Sequence, residues 1–222
     1  MNTAMSNKEV LKQEVREKEG LELTTYLDPD GVSKCIGYGH KLSDAQSPEE
    51  LVILGLEEDL DDWDGFTIDE DQAECLLSVD IHDAIETLES TKRYPGFTED
   101  ELEDLDPQRY IAIIQMAYQM GGNGVRMKYP SFVQAVHDQD WNRAADEMLW
   151  SNGLRKQRRS LWHKQTTARC EEMAEKMRYG TKLLREEEPM QPPNTTSASD
   201  QKQMKDIHDK LDAIILMLRK KE

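Results

Sequence analysis

Between Tyr110 and Met120 the chain reads YIAIIQMAYQM, about three helical turns that are apolar on nearly every side. A helix with one apolar stripe lies on a surface, whereas one that is apolar all round has to be enclosed by other elements. The stretch therefore predicts a buried central helix, broken afterwards by Gly121-Gly122-Asn123-Gly124, with a helical lobe built around it. Helices around 130–138, 140–150 and 158–178 complete that lobe.

Upstream, residues 7–19 read as a first helix with Ser6 or Asn7 as its cap and Gly20 just past its end. Residues 21–40 alternate like a small antiparallel sheet around an Asp28-Pro29-Asp30-Gly31 turn. Ser47-Pro48-Glu49-Glu50 opens a helix with Ser at the cap and Pro at the first position, and that helix runs toward the acidic residues 61–65. Asp69 caps another, in which Ala73, Leu76, Leu77, Asp80, Ile81, Ala84, Ile85 and Leu88 recur at helical spacing. That helix joins the small lobe to the larger one. Tyr94-Pro95-Gly96 reads as a turn, and residues 99–106 as an acidic patch ending at Pro107. The class is α+β: mainly helical, with a small antiparallel sheet lobe, a helical lobe and a cleft between them.

The chemistry points to EGLELTTYLDPDGVSKCIGYGH, residues 19–40. Glu19 closes the first helix, where the macrodipole is negative and a partly buried carboxyl tends toward a raised pKa that suits a general acid. Asp28 sits at the following turn, so two carboxyl groups can face each other across a cleft. Spacing alone carries little weight, since about one residue in five is acidic.

The order Glu19-Gly20-Leu21-x-Leu23, Tyr26-x-Asp28, Gly31, then Ile36-Gly37-Tyr38-Gly39-His40 resembles the active-site segment of the phage-type lysozymes, muramidases that cut the peptidoglycan glycan strand. Ile68 to Asp80, Ile114 to Gly121 with Gly124-Val125, and Trp141 to Ala145 extend the resemblance over about residues 8–180, in the right order. The resemblance implies a lysozyme-like fold and hydrolysis of the β-1,4 bond between N-acetylmuramic acid and N-acetylglucosamine, without metal or cofactor. It implies Glu19 as general acid and Asp28 holding or activating the attacking water, with Cys35 in the slot beside that water. Tyr118 and Gln119 align with sugar-contacting positions, and His40 with a histidine paired to Asp80. Tyr118 reads equally as a core residue. Arg155, Arg158 and Arg159 include a candidate partner for Glu19, while most of the basic run they begin reads as a solvated helix face.

Two departures bear on activity. Six residues separate Asp28 from Cys35, one more than is usual in the family. Cys35 itself stands where the family has Thr, and a thiol is a weaker hydrogen-bonding partner than a hydroxyl. Cys35 reads equally as a small buried strand residue. Beside the enzyme stand two alternatives: a structural virion protein that keeps the fold without turnover, and a free cytoplasmic endolysin.

Charge narrows the partners. The net charge is -17, and from Lys41 to Asp106 the chain has 23 acidic residues against three basic ones. Such a face excludes phosphate-contacting nucleic-acid binding and does not help approach to an anionic wall. It suits a protein held in an assembly or one working at high salt, and it reads equally as a solvated, solubilising surface. No apolar run reaches the roughly 18 residues of a membrane span, and the N-terminal residues lack a signal-peptide pattern. Cys35, Cys75 and Cys170 are widely spaced and read as free thiols. After a domain over 1–182, residues 183–203 have linker composition. Met204, Ile207, Leu211, Ile214 and Leu218 then form an a/d seam. A helix over 204–222, pairing with itself or with another virion protein, is the expectation, and with it a virion-associated protein.

Overall fold

The computed structural model of the chain describes residues 6–28, 31–42, 45–58, 60–89, 94–151 and 158–182. The expected linker and C-terminal helix over 183–222 lie outside them.

Ser6 opens helix α1 (Asn7–Glu19) by accepting the Glu9 N–H on its hydroxyl at 3.3 Å, which satisfies one of the helix's unpaired donors. Gly20, at φ 74°, ends it and returns its N–H to the Arg16 carbonyl. Three strands follow, β1 (Glu22–Leu27), β2 (Lys34–Gly37) and β3 (His40–Lys41), antiparallel in that order, with Tyr26 opposite Cys35 and Ile36 opposite His40. Ser47 and Glu50 form the expected capping box of α2 (Pro48–Leu54). Gly55, in the left-handed conformation at φ 74°, stops α2 after seven residues, well short of the expected run to 61–65. Asp69 and Gln72 form a second capping box on α3 (Glu70–Glu86).

Two apolar cores result. The smaller gathers Ile36, Leu42, Leu54, Trp63, Ile68, Ala73 and Leu76. The larger surrounds α5 (Pro107–Met120), where every residue from Ile111 to Ala117 is buried. α3 feeds Ala73 and Leu76 to the first core, then Leu77, Ile81 and Ala84 to the second, and so couples the lobes. Tyr38 packs against both.

The acidic patch contains a helix the spacing did not show. α4 (Glu99–Glu103) is closed by a Thr98–Glu101 capping box. The glycine break is also narrower than expected, because α6 (Gly122–Lys128) starts at once after Gly121 turns the chain at φ 70°. Gly122 is needed for close approach: a Cβ there would lie 2.5 Å from the Thr87 backbone, and its N–H donates to the Thr87 hydroxyl. α7 (Pro130–His137) and α8 (Trp141–Leu149) follow the expected spans. The single helix read over 158–178 is two, α9 (Leu161–Gln165) and α10 (Thr167–Tyr179), split where Thr166 leaves helical geometry at φ -140° and ψ 67°.

Asp106 locks the end of this lobe to its centre. It caps α5 through the Gln108 N–H and also accepts the Thr181 N–H at 3.0 Å and the Thr181 hydroxyl at 2.7 Å. Burial would raise its pKa, but these donors hold it below the usual carboxylate value. Asp106→Ala is expected to cost about 1–2 kcal/mol, as loss of a cap that also bridges elements. Urea unfolding checks this, and an unchanged midpoint would refute it.

Candidate active site

Glu19 reaches its position because α1 is laced to α10 by ion pairs in antiparallel register. Glu14 meets Lys176 at 2.5 Å, Lys18 meets Glu172, and Glu19 meets Arg169 at 2.5 Å. On the other side Arg16 holds Glu74 of α3 through two nitrogens, at 2.7 and 2.5 Å, and the Tyr38 hydroxyl donates to the same carboxylate. The helix end is thus clamped from two lobes. The Glu19 and Arg169 side chains retain only 24% and 12% of their accessible surface. Arg169 occupies Oε1, whereas Oε2 has no hydrogen-bonding partner among the described residues.

This corrects the expectation that Arg155, Arg158 or Arg159 would supply the partner. Arg159 stacks over Trp150 at 4.1 Å and lies 3.9 Å from Glu171. Arg158 is exposed, and Arg155 lies outside the described residues. The basic run is only partly a solvated face, since Arg158 and Lys164 are exposed whereas Arg169, Lys176 and Arg178 are engaged with acids of other helices. Arg169 was legible only as one member of that run. Which arginine meets Glu19 depends on how α10 slides along α1.

The hairpin turn is closed by the Asp28 N–H donating to the Ser33 carbonyl at 2.8 Å and the Gly31 N–H donating to the Asp28 carbonyl at 2.9 Å. The Asp28 carboxylate has no partner among the described residues and is partly exposed. Cys35 is buried, at 3% exposure, directly opposite Tyr26 in the ladder. Tyr26 ties these positions together. Burial, and then electrostatic interaction with Cys35, Asp28, Glu19 and Glu22, pushes its phenol up to about 12. All three candidate catalytic residues therefore lie within electrostatic reach of one phenol.

Tyr118 and Gln119 sit at the last turn of α5, partly buried. The Tyr118 hydroxyl donates to the Tyr38 carbonyl at 2.8 Å, which bridges the helical lobe to the sheet lobe. Burial, then Asp80 and Glu19, hold its pKa well above the usual phenol value. Gln119 accepts the Trp162 indole N–H at 2.6 Å and the Thr166 hydroxyl at 3.4 Å. Its carbonyl oxygen is therefore occupied, and its amide nitrogen has no hydrogen-bonding partner among the described residues.

Beneath the site His40 takes the position expected of it. Its Nδ1 faces Asp80 at 2.9 Å and its Nε2 faces the Gln46 oxygen at 2.8 Å. Gln46 donates its own amide hydrogen to the Lys41 carbonyl, which leaves its oxygen turned to the ring. Both ring nitrogens therefore meet acceptors, so the ring carries both protons. Burial opposes that charge, but Asp80, Gln46 and Glu50 outweigh it and raise the pKa to about 9. His40, Glu50 and Asp80 are also the one group of three among the described residues with ligand atoms close enough for a metal ion. A protonated, doubly hydrogen-bonded His40 has no lone pair to offer one. Among the described residues no helix is long and apolar enough to cross a membrane.

The sequence model of the phage lysozyme family matches residues 16–168, more than half of the chain. The chain is also 27% identical over 177 residues to a protein named probable T4-type lysozyme 1 of Dictyostelium discoideum, an alignment that takes in 77% of this chain and 95% of that protein. With a glutamate closing α1, an aspartate at the hairpin turn and a sheet lobe joined by α3 to a helical lobe, the chain belongs to the phage lysozyme family of glycan hydrolases.

Proposed function

We propose that the chain hydrolyses the peptidoglycan strand at the β-1,4 bond between N-acetylmuramic acid and N-acetylglucosamine. Glu19 protonates the leaving oxygen, and Asp28 positions or deprotonates a water on the opposite face of the sugar. Cys35 lies beside that water, and Tyr118 and Gln119 contact the sugar, Gln119 through its amide nitrogen. The observation that carries this reading is the Glu19 carboxyl group. Arg169 grips one oxygen, and the other has no hydrogen-bonding partner among the described residues. A group held this way can keep its geometry while a proton moves through its second oxygen.

The bond is tested by digesting purified peptidoglycan, reducing the new ends with borohydride and identifying them by mass spectrometry. Muramitol ends are expected. Glucosaminitol ends would mean that the other glycosidic bond is cut. Absence of any soluble fragment from folded protein would favour the second reading, a virion scaffold with the lysozyme fold, for which the thiol of Cys35 in place of a hydroxyl is the supporting observation.

The proposal includes the tail. Residues 183–203 act as a linker, and 204–222 form a helix that docks on a virion protein or on itself, through the seam from Met204 to Leu218. A chain ending at Lys182 is expected to keep its lytic activity and to be missing from purified particles. Normal incorporation of that truncated chain would refute the anchoring role.

A further inference from the structure

A cavity of about 600 Å³ opens between the start of α1, the end of α3 and α4, among residues the candidate active site does not use. Glu86 and Glu89 line it from the end of α3, and Glu99 and Glu103 from α4. None of these four carboxylates has an ion-pair or hydrogen-bonding partner among the described residues. Among the described residues, the other charged or titratable groups lining the space are Lys8 on α1, His82 on α3 and Tyr110. Among the described lining residues, four carboxylates stand against one lysine.

Acidic residues crowd this chain, so the carboxylates alone identify nothing. The second observation is Tyr110. It is only 7% exposed, it lines this same cavity, and its hydroxyl has no hydrogen-bonding partner among the described residues. The ring is enclosed, but the hydroxyl is not sealed from solvent, so it opens toward the cavity that the residue lines. Burial, followed by Glu103 and Glu99, raises its pKa, so it remains a neutral hydroxyl whose lone pairs can accept from a cation.

The shape of the charge selects the ligand class. Among the described residues, the single group of three whose ligand atoms converge closely enough for a metal ion lies elsewhere, at His40, Glu50 and Asp80. The cavity's carboxylates are spread out, with the apolar Ile85 and Leu102 between them in the same lining. That pattern matches several ammonium groups separated by methylenes better than one compact divalent ion. We propose that this cavity binds a linear aliphatic polyamine, its ammonium groups on Glu86, Glu89, Glu99 and Glu103, its chain along Ile85 and Leu102, and one N–H donated to the Tyr110 oxygen.

The test is calorimetric titration of the full chain with spermidine at low salt, where charge-assisted contacts are least screened. Glu86→Gln with Glu103→Gln is expected to weaken binding about tenfold, and Tyr110→Phe about threefold, as charge-assisted and neutral hydrogen bonds are lost. Glu57→Gln with Glu58→Gln removes the same charge from an exposed part of the small lobe, and its affinity is expected to match wild type. Thermal unfolding confirms that each variant is folded. Equal weakening by the Glu57/Glu58 pair would reduce the effect to net charge and overturn the site. So would wild-type affinity in Tyr110→Phe, or an equal thermal shift from magnesium ion at the same charge concentration.

Discussion

Glu19→Gln is expected to lower lytic activity on peptidoglycan by about 10³-fold while leaving the protein folded, since a positioned general acid typically contributes 10²–10⁴-fold. Glutamine keeps the shape of the side chain, and its carbonyl oxygen can still accept from the Arg169 guanidinium that now grips Oε1. What it loses is the exchangeable proton on the second oxygen. Zymograms and turbidity assays of wild type and variant read the activity, and thermal unfolding reads the fold. Retained clearing by Glu19→Gln would remove Glu19 from the chemistry. Arg169 is a positioning residue in this scheme, because it touches the carboxylate and not the substrate.

The second large effect is on stability and pH. His40 is 4% exposed and holds both protons between Asp80 and Gln46, with its pKa raised from 6.5 to about 9. A group bound more tightly to its proton in the folded state stabilises the fold fully below its unfolded pKa, and that contribution falls as pH rises toward the folded one. The protein is therefore expected to lose about 3 kcal/mol between pH 6.5 and about 9, at roughly 1.4 kcal/mol for each pKa unit. His40→Asn removes the titrating group. Its stability is expected to lie about 3 kcal/mol below wild type at pH 6 and to approach wild type above pH 9. Urea unfolding followed by tryptophan fluorescence across that range makes the comparison. Parallel pH profiles for the two proteins would show that the ring is neutral in the fold.

Much of the architecture was legible because its signals are local. Ser6, Ser47 and Asp69 each cap a helix through an N–H three residues on. Gly20 and Gly121 end helices at φ 74° and 70°, conformations that other residues rarely adopt. The all-round apolar run is buried throughout its middle because nothing on it can face water. The ends of elements were less legible where a single residue decides them. Gly55 stops α2 in mid-pattern, and Thr166 breaks a stretch whose composition reads as one helix. α4 was hidden by its acidity, since a run of Glu and Asp shows no apolar period even when Thr98 and Glu101 cap it.

The candidate site divides in the same way. Glu19, Asp28, Cys35 and His40 could be read from the chain because they share one short segment, in which helix end, turn and strand follow each other without interruption. The partner of Glu19 could not. Arg169 stands 150 residues away, and several arginines of similar surroundings compete for the role until the packing of α1 on α10 chooses among them. Nor could the sequence say that Gln119 has its oxygen taken by Trp162, or that the Tyr118 hydroxyl is spent on Tyr38. By itself the sequence determined which residues are candidates for the chemistry and which elements hold them, because caps, turns and apolar period act within a few residues of chain. Only the tertiary structure decided which atoms of those residues remain free, because that depends on the angle and register at which distant helices meet.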